Sequence, residues 1–296
     1  MRVVPLEAFR DKIPFAVAIA AVERGFRALG RGEAALPDPM VLELSEQQAE
    51  VHVKGAHLAG GRHIVLKVAT GFYRNRARGL PSGDGMFLLL DADTGVPVVL
   101  LEEHGYLTDF RTAAAVALTL KYLAPSDTHD ALLVGAGALA RLTARAMVAQ
   151  LPLARLTLWN RTRERAEGLA RELAQVVETR IAPALESAVR DHRVIVTATA
   201  STTPLVMASW VGPGTHVTSV GTGSPEKIEL EPALLRRADM AAGVVTRDKV
   251  YAELGDIAAG RLPGRESAGE ITVADLTGVG VQDAAIAQAV VEALGL

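Results

Sequence analysis

The stretch ALLVGAGALARLTARAMVAQL constrains the chain more than any other: an apolar strand runs through Gly135, Gly137 and Ala140 directly into a helix, giving the pattern G-x-G-x-x-A. The first glycine permits a tight turn, the second lets backbone approach a pyrophosphate, and a small third residue lets helix and strand pack closely. The helix start, at Ala138 and Leu139, presents unpaired N–H groups and the positive end of the dipole to the phosphates. A glycine-rich turn without a ligand is the other reading of such a motif; the strand and helix around this one favour a dinucleotide.

The same grammar continues on both sides. ALLVGAG, LTLWNRT, VIVTATA and HVTSVGTG are short apolar runs, several of them separated by helical stretches, which predicts a parallel βαβ sheet. Further cofactor-binding positions then fall at strand ends, where a doubly wound sheet takes its ligand: Thr197, Ala198 and Thr199 in one run, Val220 and Gly221 in the next. The second strand ends at Asn160, Arg161 and Thr162, with Arg163 following. An NAD-selective site places an acid there to hold the ribose hydroxyls, and none is present. These four residues instead offer hydrogen bonds and positive charge to a 2′-phosphate, so NADP(H) is expected in preference to NAD(H). The other reading makes Arg161 and Arg163 solvated residues opening a helix.

The first part of the chain reads differently. Phe15, Ile19, Val22, Phe26 and Leu29 share one helical face, with Pro14 suited to the first turn. From Val51 to Leu101 short alternating runs are separated by Gly, Asp and Pro signals, which predicts an antiparallel meander. A helix is expected from Thr108, acting as its cap, to near Pro125. The expected fold class is therefore α/β: a Rossmann domain over residues 121–270 and an α+β domain over 1–120, completed by a C-terminal helix within about 271–296. Of the 296 residues 49% are apolar, ample for two cores. A formal charge of −3 offers no basic surface for nucleic acid. The absence of cysteine removes thiolate chemistry and disulfides. No apolar run reaches the roughly 18 residues of a membrane span, and no His/Asp/Glu spacing suggests a metal. A soluble cytoplasmic protein is expected.

Four segments carry a closer likeness: KGAHLAGGRHIVLKVATGFYRNRARGLPSGDG, LLLDADTGVPVVLLEEHGYLTDFRTAAAVAL, the glycine turn, and GTGSPEKIEL with DLTGVGVQD. In this order they resemble the ornithine cyclodeaminase/mu-crystallin family over most of the chain, and the pairing of D-x-x-T-G-x-P with L-T-x-x-R-T-A-A is the specific part. The resemblance implies a homodimer whose N-terminal domain binds substrate and forms the dimer contact, a Rossmann domain that holds a nicotinamide cofactor, and an active site between them. It also implies that a strand lysine and the arginine of L-T-x-x-R-T hold the substrate, here Lys67 and Arg111. Both fit their settings. Arg111 is expected in the first turn of its helix, where the dipole disfavours a cation unless an anion is bound; an ordinary surface arginine is the alternative. Lys67 shares a strand face with Val65 and Ala69, as a proton donor of lowered pKa or as a snorkelling edge residue. Lys54 is a weaker candidate for the same role. Thr277 and Gly278 resemble a segment that approaches the nicotinamide, or form a plain helix-capping turn. Residues Tyr73 to Gly79 are expected to shape the pocket, and His57 and His104 are alternative acids.

The sequence departs from the family at two places. Cyclodeaminases of this family carry an Asp where GTGSPEKIEL has Gly223, and Ser224 beside it is a poor base without an activating partner. The arginine common near the end of the N-terminal region is missing too, since LPDPMVLEL offers Asp38 and Pro39. Ring closure with deamination is thus disfavoured. Imine reduction needs fewer groups, because the cofactor brings hydride and the protein holds a carboxylate and protonates nitrogen. The expected activity is NADPH-preferring reduction of α-imino acids, either cyclic ketimines such as pyrroline-2-carboxylate and piperideine-2-carboxylate or linear imines of a keto acid and an amine. An ammonia-lyase that uses NAD internally and a mu-crystallin-like ligand binder are the rivals.

Overall fold

A computed structural model describes residues 1–221, 227–238, 240–242 and 251–296; Gly223 and Ser224 lie outside them. The chain divides into two compact units, Met1–Arg111 with Val279–Leu296, and Thr112–Gly278.

The first unit is a sheet carrying two helices. Its strands are β1 (Arg2–Val4), β2 (Ala34–Ala35), β3 (Met40–Leu44), β4 (Ala49–Leu58), β5 (His63–Phe72), β6 (Gly83–Asp91) and β7 (Pro97–Glu102). Their order is β1-β7-β6-β5-β4-β2, with β3 also on β4. The expected meander is β4 to β7, antiparallel throughout, while β1 joins β7 in parallel. β5 is therefore an interior strand, and the edge-residue alternative for Lys67 does not hold. α1 (Phe15–Gly30) starts after Pro14, which occupies the N-cap, and buries Ile19, Val22 and Phe26 as the periodicity predicts. α8 (Gly280–Ala293) lies against α1 through Ala21, Ala285 and Ala289. Small residues let these backbones approach: a Cβ on Gly25 would stand 2.7 Å from the Val281 carbonyl oxygen, and one on Gly280 only 2.4 Å from that of Gly55. That seats the first turn of α8 directly on β4.

α2 (Tyr106–Leu123) begins two residues earlier than Thr108, because His104 and Gly105 turn the chain at φ 50° and 83°. Its cap is the fully buried Glu103, whose carboxylate accepts from the Leu107 N–H at 2.7 Å, the Thr108 N–H at 3.2 Å and the Thr108 hydroxyl at 2.9 Å. Arg111 consequently sits in the second turn, not the first, and the dipole bears on it less. A Glu103→Ala protein will lose about 0.5–2 kcal/mol, read as a lower urea midpoint at unchanged slope; an unmoved midpoint would mean the carboxylate does not hold the helix start.

The second unit has strands β8 (Asp130–Val134), β9 (Arg155–Trp159), β10 (Glu178–Ile181), β11 (Val194–Thr197), β12 (His216–Ser219), β13 (Met240–Ala242) and β14 (Thr272–Asp275). All pair in parallel, in the order β10-β9-β8-β11-β12-β14-β13. Alternation along the strands fills both faces: Leu133, Leu158 and Val196 enter one core with Met147, while Leu132, Val134, Ile195 and Val217 enter the other. Helices α3 (Ala138–Gln150), α4 (Arg163–Leu173), α5 (Leu185–Asp191), α6 (Pro232–Arg237) and α7 (Leu254–Ala258) connect the strands. This is a doubly wound Rossmann sheet with its switch point between β8 and β11.

The unit boundaries fall at 111/112 and 278/279 rather than at the expected 120/121 and 270/271. Val116 and Leu120 of α2 belong to a Rossmann core, and β14 is a strand of the Rossmann sheet, so packing rather than helix ends sets the cuts. Among the described residues no helix is long and apolar enough to cross a membrane.

Candidate active site

Lys67 lies in the middle of β5, paired in register with Lys54 on β4 and Phe87 on β6. Like charges directly opposite across a sheet repel, and Lys67 is only 2% exposed. An acid from the other end of the chain offsets this. Asp283, in the first turn of α8 and 2% exposed, accepts a hydrogen bond from Lys67 Nζ at 3.1 Å and lies 3.0 Å from it through its second oxygen. Arg111 Nε approaches the same carboxylate at 2.9 Å, while its Nη1 donates to Gln282 Oε1 at 2.5 Å. Gln282 also accepts from the Val279 N–H at 3.2 Å, closing the start of α8. The Arg111 Nε and Asp283 Oδ2 contacts are close but poorly aligned, and neither atom makes a hydrogen bond. Both act as ion-pair contacts within the buried cluster.

Burial pushes the Lys67 ammonium down to about 8, with Arg111 adding to the shift and Asp283 opposing it. Lys54, half-buried, is lowered by burial and then by Arg111, again against Asp283. Asp109, two residues before Arg111, is raised to about 6 by burial and by Glu103, with Arg111 opposing. The cluster thus holds an ammonium that can give up its proton near neutral pH, a guanidinium fixed in charge, and a carboxylate shared between them.

In the Rossmann unit Gly135 closes the turn after β8 at φ 125°, and a Cβ there would stand 2.4 Å from the Ala198 carbonyl oxygen. Gly137 is the N-cap of α3, with no side chain capping the helix and nothing within 4 Å of its Cβ position. Ala138 and Leu139 open that helix. A bare helix start facing open space beside two glycines fits a pyrophosphate, and the nucleotide reading of the turn meets no obstacle. At the end of β9, Asn160 Nδ2 donates to the Thr162 carbonyl at 2.8 Å. Arg161, Thr162 and Arg163 are exposed, and Arg163 pairs with Glu167 one turn along. Such an exposed pair is weak, about 0.3–0.5 kcal/mol, and leaves Arg163 able to turn to a phosphate. Thr197 ends β11 with Ala198 and Thr199 just beyond it, Val220 and Gly221 follow β12, and Thr277 and Gly278 follow β14. These positions lie at or just beyond the carboxyl ends of parallel strands, the edge of a doubly wound sheet that faces its ligand crevice.

The expected substrate residues Lys54, Lys67 and Arg111 come together. The histidines do not join them: His57 falls on the other face of β4 from Lys54 by alternation and contacts the His63 carbonyl, and His104 is exposed beside Asp84. Tyr73–Arg78 form a 3-10 turn after β5, with Tyr73 bonded to Glu50. Sequence reasoning missed Asp283, Gln282 and Asp109. Asp283 ends the quoted DLTGVGVQD, but an acid opening a helix has a generic electrostatic explanation. Among the described residues no group of three His, Asp or Glu could hold a metal.

A glycine-turn Rossmann unit, carried on one chain with a unit that buries a lysine, an arginine and a shared carboxylate, is the build of a nicotinamide-dependent oxidoreductase. The chain belongs to the ornithine cyclodeaminase/mu-crystallin family, whose model matches residues 10–295. It is 36% identical over 310 residues to an uncharacterized cyclodeaminase of Sinorhizobium fredii, covering 97% of this chain and 94% of that protein. Among solved structures it is similar to the Δ1-pyrroline-2-carboxylate reductase of Thermococcus litoralis in complex with NADH and L-proline, with a TM-score of 0.92 at 26% identity over 99% of this chain and 97% of that one. An archaeal alanine dehydrogenase dimer with bound NAD gives 0.91 at 28% identity, over 98% and 95%.

Proposed function

We propose that the protein is an NAD(P)H-dependent reductase of small α-imino acids, cyclic ketimines or the linear imines of keto acids and amines. The observation that carries this reading is the buried Lys67, held beside Asp283 and Arg111 with its proton poised near neutral pH. Arg111 binds the substrate carboxylate, with Lys54 contributing positive charge. Lys67 donates a proton to the imine nitrogen, and Asp283 holds the Lys67 ammonium in place. A nicotinamide dinucleotide held at Gly135, Gly137 and the strand ends would supply the hydride. Asn160, Arg161, Thr162 and Arg163 favour NADPH, through charge and hydrogen bonds to a 2′-phosphate. A homodimer in the cytoplasm belongs to the same proposal; the exposed Met40, Val41 and Leu42 on β3 give the first unit an apolar strip, and one similar structure is a dimer.

The test is oxidation of NADPH and NADH at 340 nm against cyclic ketimines and keto acid–amine mixtures. Turnover is expected, faster with NADPH. Because protonated Lys67 is the acid, kcat/KM for reduction should fall about tenfold per pH unit above about 8, while amine oxidation, which needs the neutral amine, should rise through the same range. A profile flat from pH 7 to 10 would remove Lys67 from this role. Ammonia release from a diamino acid with no net change in NAD would replace the reductase with the lyase.

A further inference from the structure

Glu229 is fully buried, and among the described residues every hydrogen-bond partner of its carboxylate is neutral. Oε1 accepts from the Thr199 N–H and the Thr199 hydroxyl, each at 2.7 Å. Oε2 accepts from the Thr197 hydroxyl at 2.8 Å, the Ser219 hydroxyl at 2.9 Å and the Gly221 N–H at 2.7 Å. A carboxylate taken from water is costly unless its oxygens are fully bonded, and here five donors converge on two oxygens. Its backbone is fixed as well, since the Glu229 carbonyl accepts from the Leu205 and Val206 N–H groups.

The groups so gathered are not scattered. Thr197 and Ser219 are paired at the ends of β11 and β12, and Thr199 and Gly221 begin the loops beyond them. The two loops touch: a Cβ on Gly221 would stand 2.0 Å from the Thr199 carbonyl oxygen and 2.6 Å from Glu229 Cδ, so the residue there must be glycine. In a doubly wound sheet the adenosine half of a dinucleotide runs from the first glycine turn over the second strand, here β9, and the other half crosses the switch point to the opposite side. That side is β11 and β12.

We propose that Glu229 is the positioning residue for the nicotinamide half of the dinucleotide site: its carboxylate locks Thr197 and Thr199 at the end of β11, and Ser219 and Gly221 at the end of β12, in their binding shape before any nucleotide arrives. The proposal rests on the dinucleotide reading above and adds to it the element that preorganises one half of the site. Glu229 acts through Thr199 and Gly221, whose backbone N–H groups it holds.

A Glu229→Gln substitution tests this sharply. Hydroxyls can rotate to accept from an amide, but the Thr199 and Gly221 N–H groups cannot. Whichever way the amide turns, one of these two backbone donors loses its acceptor, and Thr199 or Gly221 is released. By isothermal titration calorimetry, the variant should bind NADPH and NADH on the order of tenfold more weakly, while ADP and 2′,5′-ADP, which probe the adenosine side, change less than twofold. Equal weakening of all four ligands would reduce Glu229 to a general structural role and overturn the proposal, as would no weakening at all. If the unaltered protein bound neither dinucleotide, the underlying cofactor reading would fail instead, which is a different result. A measurement on the unaltered protein needs no variant to fold: in hydrogen exchange without nucleotide, amides of residues 197–201 and 219–221 should be protected like the strands. Rapid exchange there, slowed only by added dinucleotide, would overturn preorganisation.

Discussion

A Lys67→Met enzyme will reduce imino acids with kcat lowered on the order of 10²–10⁴-fold, the range general acid catalysis supplies, and will still fold and bind dinucleotide. Methionine fills the lysine's volume without its charge, so packing on β5 is kept. Asp283 remains paired with Arg111, and removing one of two cations facing each other across β4 and β5 relieves repulsion. Stability should therefore change little, which separates a loss of chemistry from a loss of structure. The fall in rate above pH 8 that Lys67 produces should also vanish from the residual activity. Lys67→Arg sharpens the case, because guanidinium keeps the charge but does not release a proton in this range. Arginine should restore part of the substrate affinity and little of kcat. If Lys67→Met kept more than a tenth of the turnover at pH 7, the proton would have to come from elsewhere, and Lys54 across the strand pair would be the next residue to change.

What the sequence made legible was local. The glycine turn could be read because strand, turn and helix chemistry lie within one short stretch, and Gly135 and Gly137 have the conformation and open space that the motif requires. Lys67 stood out because a lone cation on an apolar strand face breaks a two-residue alternation. Its partner was hidden, since Asp283 lies 216 positions away and no periodicity links the two. The start of α2 was misread for a related reason. Thr108 looks like a cap, but Glu103 reaches across the His104–Gly105 turn to do that work, and this moved Arg111 out of the first turn. Glu229 sits within the quoted GTGSPEKIEL, where Lys, Glu and Pro suggest a solvated loop; its burial depends on β11 and β12 closing around it. The unit boundaries escaped for the same reason, because α2 is continuous in sequence while its later residues join a different core.

Asp283→Asn should be the most destabilising of these changes, costing about 3–5 kcal/mol at pH 7, the range for removing one partner of a buried ion pair. Asparagine matches the carboxylate in shape, so no cavity forms and the loss is electrostatic. What remains is Lys67 and Arg111, each at most 5% exposed, with Lys54 opposite Lys67 and the shared counter-charge gone. The pH dependence identifies the cause. Lys67 already titrates near 8 in the folded protein, below its ordinary 10.5. Between those values the unfolded chain binds more protons than the folded one, so this group makes stability rise with pH across that window. Asp283 is the group that opposes the downward shift; without it the folded value drops further and the window opens toward lower pH. At pH 9 Lys67 can sit neutral in the variant and the penalty should shrink, whereas at pH 6.5 it should be largest. Urea unfolding at the two pH values measures this directly. A deficit equal at both would mean that Asp283 supports the fold through packing and the start of α8, not through the charge it shares with Lys67 and Arg111.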